Sequence, residues 1–267
     1  MNDTKKIIKK WYEALNFPKE FDKEFYKALD SISIESTAAV ADYDPKCEDG
    51  AKNLLSFLYF SEALEKKYEE LGIPRDVLLD TLNDIVVWTK EWTAIKGELA
   101  LGTLDWLSHH MNLRIFRIGR LQFYPTVASM DIDALGVKAG EDVLDVHIPA
   151  IGRLTKEECE LSFEGAKNFF ARLYPEKNFK CFVCHSWLLD ETLKKYLQKE
   201  SNIVRFGDMF IKLRQDDDNA LIRYMFPWDT TMENLPLREG RTPSARRIKD
   251  AVLSGEQFHV TLGARAL

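Results

Sequence analysis

Cysteine is scarce in this chain. Four thiols in 267 residues, in no framework spacing, exclude a disulfide-stapled scaffold and fit a reducing compartment. Long apolar runs are missing too, and none approaches the roughly 20 residues that a membrane span requires. The start, Met1-Asn2-Asp3-Thr4-Lys5-Lys6, has no apolar stretch that could serve as a secretory signal, so a cytoplasmic location without membrane association is expected. An excess of positive charge is also absent. With 37 basic and 43 acidic residues the formal charge is −6, which argues against nucleic acid as the partner. No internal repeat or low-complexity tract is present. What remains, 45% hydrophobic and 30% charged residues, is an ordinary globular composition with length for one large domain or two unequal ones.

To about Asn112 the chain reads as helical. Ile7, Ile8, Trp11 and Leu15 recur at helical spacing, and Leu54, Leu55, Leu58, Ala63, Tyr68 and Leu71 form a second stripe. Pro18, Pro45 and Gly72-Ile73-Pro74 separate the segments. From Pro74 a long helix is expected through Val77, Leu78, Leu82, Ile85, Val86 and Trp88 towards Ile95, interrupted by Gly97.

The texture changes at Arg114. Alternating β-branched, aromatic and polar residues from Arg114 to Phe123 read as a strand, and Val143 to Ile148 as another that stops at Pro149 and Gly152. Thr155-Lys156-Glu157-Glu158 has capping-box form and opens a helix with Leu161, Ala166, Phe169, Phe170 and Leu173 that ends before Pro175. A strand over Cys181 to Trp187 precedes a helix from Asp190 to about Leu197. Met209 to Arg214 and Leu221 to Phe226 read as strands flanking a turn at Asp216-Asp217-Asp218-Asn219, which lacks the glycine and distal glutamate of a calcium loop. A helix from about Pro243 to Leu253 and a strand from Gln257 to Leu262 follow. The fold class expected is α+β, with a helical N-terminal domain over 1–112 and a mixed sheet flanked by helices over 113–267.

The densest chemistry lies in Cys181-Phe182-Val183-Cys184-His185-Ser186-Trp187. Its Cys-x-x-Cys-His does not read as haem attachment, which belongs to exported chains, nor as zinc, because Cys47 and Cys159 stand alone without ligand spacing. It reads as a buried strand with small thiols in its core. Alternation puts Asp145 and His147 on one face of their strand, the minimal general-base pair, since the carboxylate favours imidazolium and fixes the ring. His185 and Ser186 point apart, which is poor geometry for a serine nucleophile and leaves Ser186 as a helix cap or ligand-binding hydroxyl. Arg114, Arg117 and Arg120 lie on one expected strand and Arg246 with Arg247 near the start of a helix, where guanidinium groups and exposed amides can bind a pyrophosphate. His259-Val260-Thr261 has the His-x-Thr form of two-histidine phosphoesterases, but its partner candidate, His147-Ile148-Pro149, lacks the hydroxyl residue.

Four blocks in order carry a resemblance: Gly119-Arg120-Leu121-Gln122-Phe123; Val146-His147-Ile148-Pro149 with Gly152 and Leu154; Cys184-His185-Ser186-Trp187-Leu188-Leu189-Asp190; and Ser201-Asn202-Ile203 with Phe206. Together they resemble the GNAT-like C-terminal domain of a bacterial family of acyltransferases that also carries a helical N-acyltransferase N-terminal domain. The resemblance implies a GNAT-like sheet and transfer of an acyl group from acetyl-CoA or another acyl-CoA, as co-substrate, to an amine or similar nucleophile on a small-molecule acceptor. On that reading His147, assisted by Asp145, is the base, and His185 joins them at the catalytic centre. Ser186, Trp187 and Asn202 bind substrate, while Arg117, Arg120 and Arg246 bind the coenzyme. GNAT enzymes generally hold the coenzyme pyrophosphate with a Gln/Arg-x-x-Gly-x-Gly/Ala loop at a helix start, and this chain has no Gly-x-Gly or Gly-x-Ala. That departure keeps a non-catalytic GNAT-like binding module as the alternative, with the two-histidine phosphoesterase behind it.

Overall fold

The structure, a computed structural model, describes residues 3–32, 48–218, 220–240 and 242–267. Pro45, Cys47 and Asn219 lie outside the described residues. The chain divides into two compact units, Met1–Arg117 and Ile118–Leu267.

The first unit is helical. Its elements are α1 (Asp3–Ala14), α2 (Asp22–Ser31), α3 (Gly50–Glu70), α4 (Arg75–Lys96) and α5 (Leu104–Met111). Ile8, Trp11 and Leu15 are buried where the spacing placed them. On α3 the stripe differs from expectation: Leu64 is buried, whereas Ala63 and Leu71 face solvent. Burial follows the 3.6-residue period from Leu54 and Leu58 to Leu64 and Tyr68, and the position next to the stripe falls outside it. Gly97 ends α4 in the left-handed conformation, where its N–H donates to the Thr93 carbonyl.

The second unit is built on a six-stranded sheet in the order β1-β2-β3-β4-β6-β5. The strands are β1 (Phe116–Ile118), β2 (Leu121–Val127), β3 (Asp142–His147), β4 (Cys181–Ser186), β5 (Ile211–Asp217) and β6 (His259–Ala266). β3 and β4 run parallel, while β2–β3, β4–β6 and β5–β6 are antiparallel. The helices are α6 (Lys156–Leu173), α7 (Asn202–Gly207), α8 (Ala220–Met225) and α9 (Pro243–Leu253).

The sheet is mixed, as expected, but three local readings change. The single strand expected from Arg114 to Phe123 is a hairpin, turned at Gly119 with φ +65°. The 190–197 segment forms 3₁₀ turns, Trp187–Leu189 and Glu191–Lys195, in place of a continuous helix. Leu221 to Phe226 is helical and not a strand, so Asp216 and Asp217 end β5 and form no hairpin turn. Leu221, Ile222 and Phe226 bury themselves among Leu193, Leu197, Val204, Leu235, Ala245 and Ile248. A six-residue segment with apolar or aromatic residues at five positions fits either period, and this cluster selects the helix.

One sheet face packs on α6. Phe163 stands 4.8 Å from Phe182 and 6.1 Å from Phe123, and Phe170 lies 6.4 Å from Phe123, measured between ring centroids. Thr155 caps α6 as read, accepting from the Glu158 N–H at 3.3 Å and donating its hydroxyl to the Glu158 carboxylate at 2.6 Å. Leu161, expected on the apolar stripe of α6, is 74% exposed, while Cys159, Ser162 and Phe163 take the inner positions.

Cys159, Cys181 and Cys184 are reduced and buried. Desolvation raises the Cys159 and Cys181 thiols to about 11 and lifts Cys184 well above the ordinary thiol range. The unfolded chain therefore loses these protons first as pH rises. The thiol contribution to stability is complete below about pH 8.5, the ordinary thiol value, and is lost as pH approaches 11. We expect the melting temperature to fall across that window and the three thiols to resist iodoacetamide at pH 8 until global unfolding. Native-state alkylation of Cys181, mapped by mass spectrometry, would contradict the burial.

Candidate active site

The face opposite α6 carries the candidate chemistry. Cross-strand register puts Gln122 opposite His147 and Tyr124 opposite Asp145, and the parallel ladder puts Asp145 beside Val183. His185 follows on the same face by alternation. At the lower end of this face Ala128, Ile132 and Val137 close over Val143, Cys181 and Ala264. Above that cluster Asp145 and His147 are half-buried and His185 is exposed.

β3 and β4 pair at Leu144↔Phe182 and Asp145↔Val183 and at no later position. Beyond that point Val146 and His147 pair with β2, while Cys184, His185 and Ser186 pair with β6. The two parallel strands thus part, and His147 and His185 stand on either side of the gap. Backbone groups facing such a gap, unpaired with each other, can receive a substrate strand-like segment or amide.

His147 Nε2 lies 3.3 Å from Asp145 Oδ2, so the pair read from alternation is present. His185 Nε2 lies 2.9 Å from Asp216 Oδ2 on β5. Arg214 grips the same carboxylate through Nε and Nη2, at 3.0 and 2.9 Å, and this guanidinium, followed by His185, lowers the Asp216 pKa. Sequence reasoning missed Asp216 as the partner of His185, because the contact depends on β6 entering between β4 and β5.

Ser186 accepts from the Leu188 N–H at 3.2 Å and caps the 187–189 turn. Trp187 leaves β4 at the same end and stacks on Tyr224, with ring centroids 6.4 Å apart and planes 20° apart. Asn202 opens α7 behind the Ser201 cap, whose hydroxyl accepts from the Val204 N–H at 3.3 Å. The expected arginine group does not assemble on one element. Arg117 belongs to the first unit, 3.8 Å from Asp80, and Arg246 sits exposed on α9 and donates to the Gly240 carbonyl. Arg120 occupies the hairpin turn and donates to the Pro149 and Arg153 carbonyls. Among the described residues no backbone acceptor takes up the amides of Ala150, Gly152, Arg153 and Leu154 in the loop between β3 and α6, where Gly152 has φ +51°. These amides, next to the start of α6, are the donors available to an anionic ligand in place of a Gly-x-Gly loop.

The phosphoesterase geometry is not met. Ser186 pairs with Thr261, so His259 projects from the α6 side of the sheet and His147 from the other. The His259 backbone N–H donates to Asp190, and its ring lies between Asp190 and Asp217. Among the described residues no cluster of three or more His, Cys, Asp or Glu could hold a metal ion. No described helix is long and apolar enough to cross a membrane.

A mixed sheet of this order, with parallel central strands that part beside a histidine–carboxylate pair, defines a GNAT-like fold. Residues 115–265 match the model of the GNAT-like C-terminal domain, and residues 3–113 match that of the N-acyltransferase N-terminal domain. The chain belongs to the acyltransferase family that joins these two domains. No curated protein matches it. Among solved structures it is similar to an acyltransferase in complex with decanoyl-CoA and teicoplanin, at 20% identity and TM-score 0.81, covering 97% of this chain and 87% of that one. A mutant acyltransferase in complex with octanoyl-CoA matches at 19% identity and TM-score 0.79 over the same shares of the two chains. An acyltransferase in complex with CoA and 10C-teicoplanin matches at 20% identity and TM-score 0.81, again over 97% and 87%.

Proposed function

We propose that this protein transfers an acyl group from acetyl-CoA or another acyl-CoA to the amine of a small-molecule acceptor. The observation that carries this reading is the His147–Asp145 pair, 3.3 Å apart, beside the gap between β3 and β4. With Nε2 turned to the Asp145 carboxylate 3.3 Å away, Nδ1 is the imidazole nitrogen that accepts a proton from the acceptor amine. The amine nitrogen gains the acyl bond, the thioester carbon–sulfur bond breaks, and the coenzyme thiolate leaves as its thiol by taking up the proton that His147 accepted. The gap-facing backbone of β3 and β4 offers donors to the thioester carbonyl as charge develops on it. His185, held by Asp216, faces the same gap from β4 and joins the reacting centre, and Ser186, Trp187 and Asn202 border the acceptor. Similar solved acyltransferases hold CoA, octanoyl-CoA or decanoyl-CoA, and one also holds teicoplanin, a small-molecule acceptor, which supports the co-substrate and the class of acceptor. The same reading divides the chain into a helical domain over 1–112 and a transferase domain over 113–267.

Ligand-dependent melting tests it. Coenzyme A, acetyl-CoA, octanoyl-CoA and decanoyl-CoA at about 100 times their dissociation constants are each expected to add roughly 2.7 kcal/mol to the folded state, a shift of several degrees. Absence of a shift with all four would sink the transferase reading and favour the non-catalytic binding module suggested by the missing Gly-x-Gly.

A further inference from the structure

Arg120 sits where three segments meet. The hairpin turn that carries it rests on α6: Gly119 takes φ +65°, and a Cβ there would come within 2.9 Å of Ser162 Oγ. The Arg120 N–H donates to that hydroxyl at 2.7 Å, and the hydroxyl donates to the Glu158 carbonyl at 2.9 Å. From this anchored backbone the side chain crosses to the loop between β3 and α6. Nη1 donates to the Pro149 carbonyl at 3.1 Å and Nε to the Arg153 carbonyl at 2.9 Å. Pro149 O also accepts from the Ile151 N–H at 2.8 Å. One planar fork therefore fixes two carbonyls four residues apart from two of its nitrogens.

The consequence lies in where the remaining groups point. With the Pro149 and Arg153 carbonyls turned towards the guanidinium, the trans peptide bonds turn the amides of Ala150 and Leu154 away from it, and among the described residues no backbone acceptor takes up the amides of Ala150, Gly152, Arg153 or Leu154. His147, two residues before Pro149, is held in β3 by its own pairing with Gln122. We infer that Arg120 is a positioning residue of the transferase: it fastens the 149–153 loop and thereby shapes the amide surface offered to the coenzyme pyrophosphate, without touching the phosphates itself. This rests on the acyl-CoA reading above and replaces the direct coenzyme contact expected of Arg120 from the sequence.

Arg120→Met and Arg120→Lys test it, with melting temperature as the control for folding. Without ligand, exchange of the Ile151 amide, which donates to the Pro149 carbonyl, is expected to rise about tenfold or more in the methionine variant, which can hold neither carbonyl, and less in the lysine variant. The KM for acyl-CoA should rise about tenfold in the methionine variant, and less in the lysine variant, while kcat at saturating acyl-CoA stays within about twofold, since reordering the loop weakens binding and leaves the base in place. The slope of log KM against log salt should match that of the parent, because no phosphate contact has been removed. A methionine variant with parental KM and parental Ile151 exchange would overturn the proposal, and so would one with a flattened salt slope, which would make Arg120 a direct phosphate ligand. Faster loop exchange in variants of a protein whose parent binds no acyl-CoA would leave the fastening standing and remove the acyl-CoA reading beneath it.

Discussion

His147→Ala is expected to lower kcat/KM for acyl transfer by about 10²–10⁴-fold, the range over which a positioned general base acts. The melting temperature should stay within about 2 °C of the parent, because the ring is half-exposed and its loss leaves no cavity. Asp145→Asn keeps the shape of the pair and removes the charge that orients and stabilises the imidazolium, so a smaller loss in kcat is expected at unchanged stability. Parallel kinetics and calorimetry on both variants decide the matter. Parental kcat/KM in His147→Ala would remove the base assignment, whereas equal losses of activity and stability would reassign the histidine to the fold.

Asp84→Ala carries the largest expected cost in stability. Within the helical unit Asp84 Oδ2 lies 3.0 Å from His110 Nε2 and accepts from Trp106 Nε1 at 3.1 Å, and His110 Nδ1 lies 3.3 Å from the Trp106 carbonyl. Asp84 and His110 are 5% and 1% exposed, so water cannot replace a lost partner. Removing the carboxylate should destabilise the unit by about 3–5 kcal/mol, the usual result of deleting one member of a buried charged network. Asp84→Leu combined with His110→Leu should recover a substantial part, because the orphaned group is removed along with its partner. A single variant within about 1 kcal/mol of the parent in urea melts would show that the network contributes little.

Signals within a few residues of each other were legible in the sequence. Thr155 with Glu158, the 243–253 helix opened by proline, and the shared face of Asp145 and His147 are local consequences of capping and alternation, and each stands in the structure. Gly119 also carried a signal, since a glycine inside a strand pattern marks a turn. Giving it that weight would have separated Arg117 from Arg120 and exposed the hairpin. Other features were not local. Leu221 to Met225 has the composition of a strand and becomes a helix because six distant residues surround it. The Asp216 partner of His185 and the two carbonyls held by Arg120 likewise depend on segments brought together by the sheet order, which no short window contains.

That order also sets a sequence of events in time. β5 precedes β6 in the chain, yet its one neighbour in the sheet is β6, which enters between β4 and β5. A nascent chain that has already emitted β4 and β5 cannot yet join them, and the apolar edge of β4, with Cys181 and Phe182, waits unpaired until residues 259–266 leave the ribosome. Closure of the sheet is therefore a late, long-range event of the kind that slows folding and exposes intermediates to aggregation. Until it occurs, Asp216 has no strand to bring it to His185, so the assembled site reports that synthesis has run through β6.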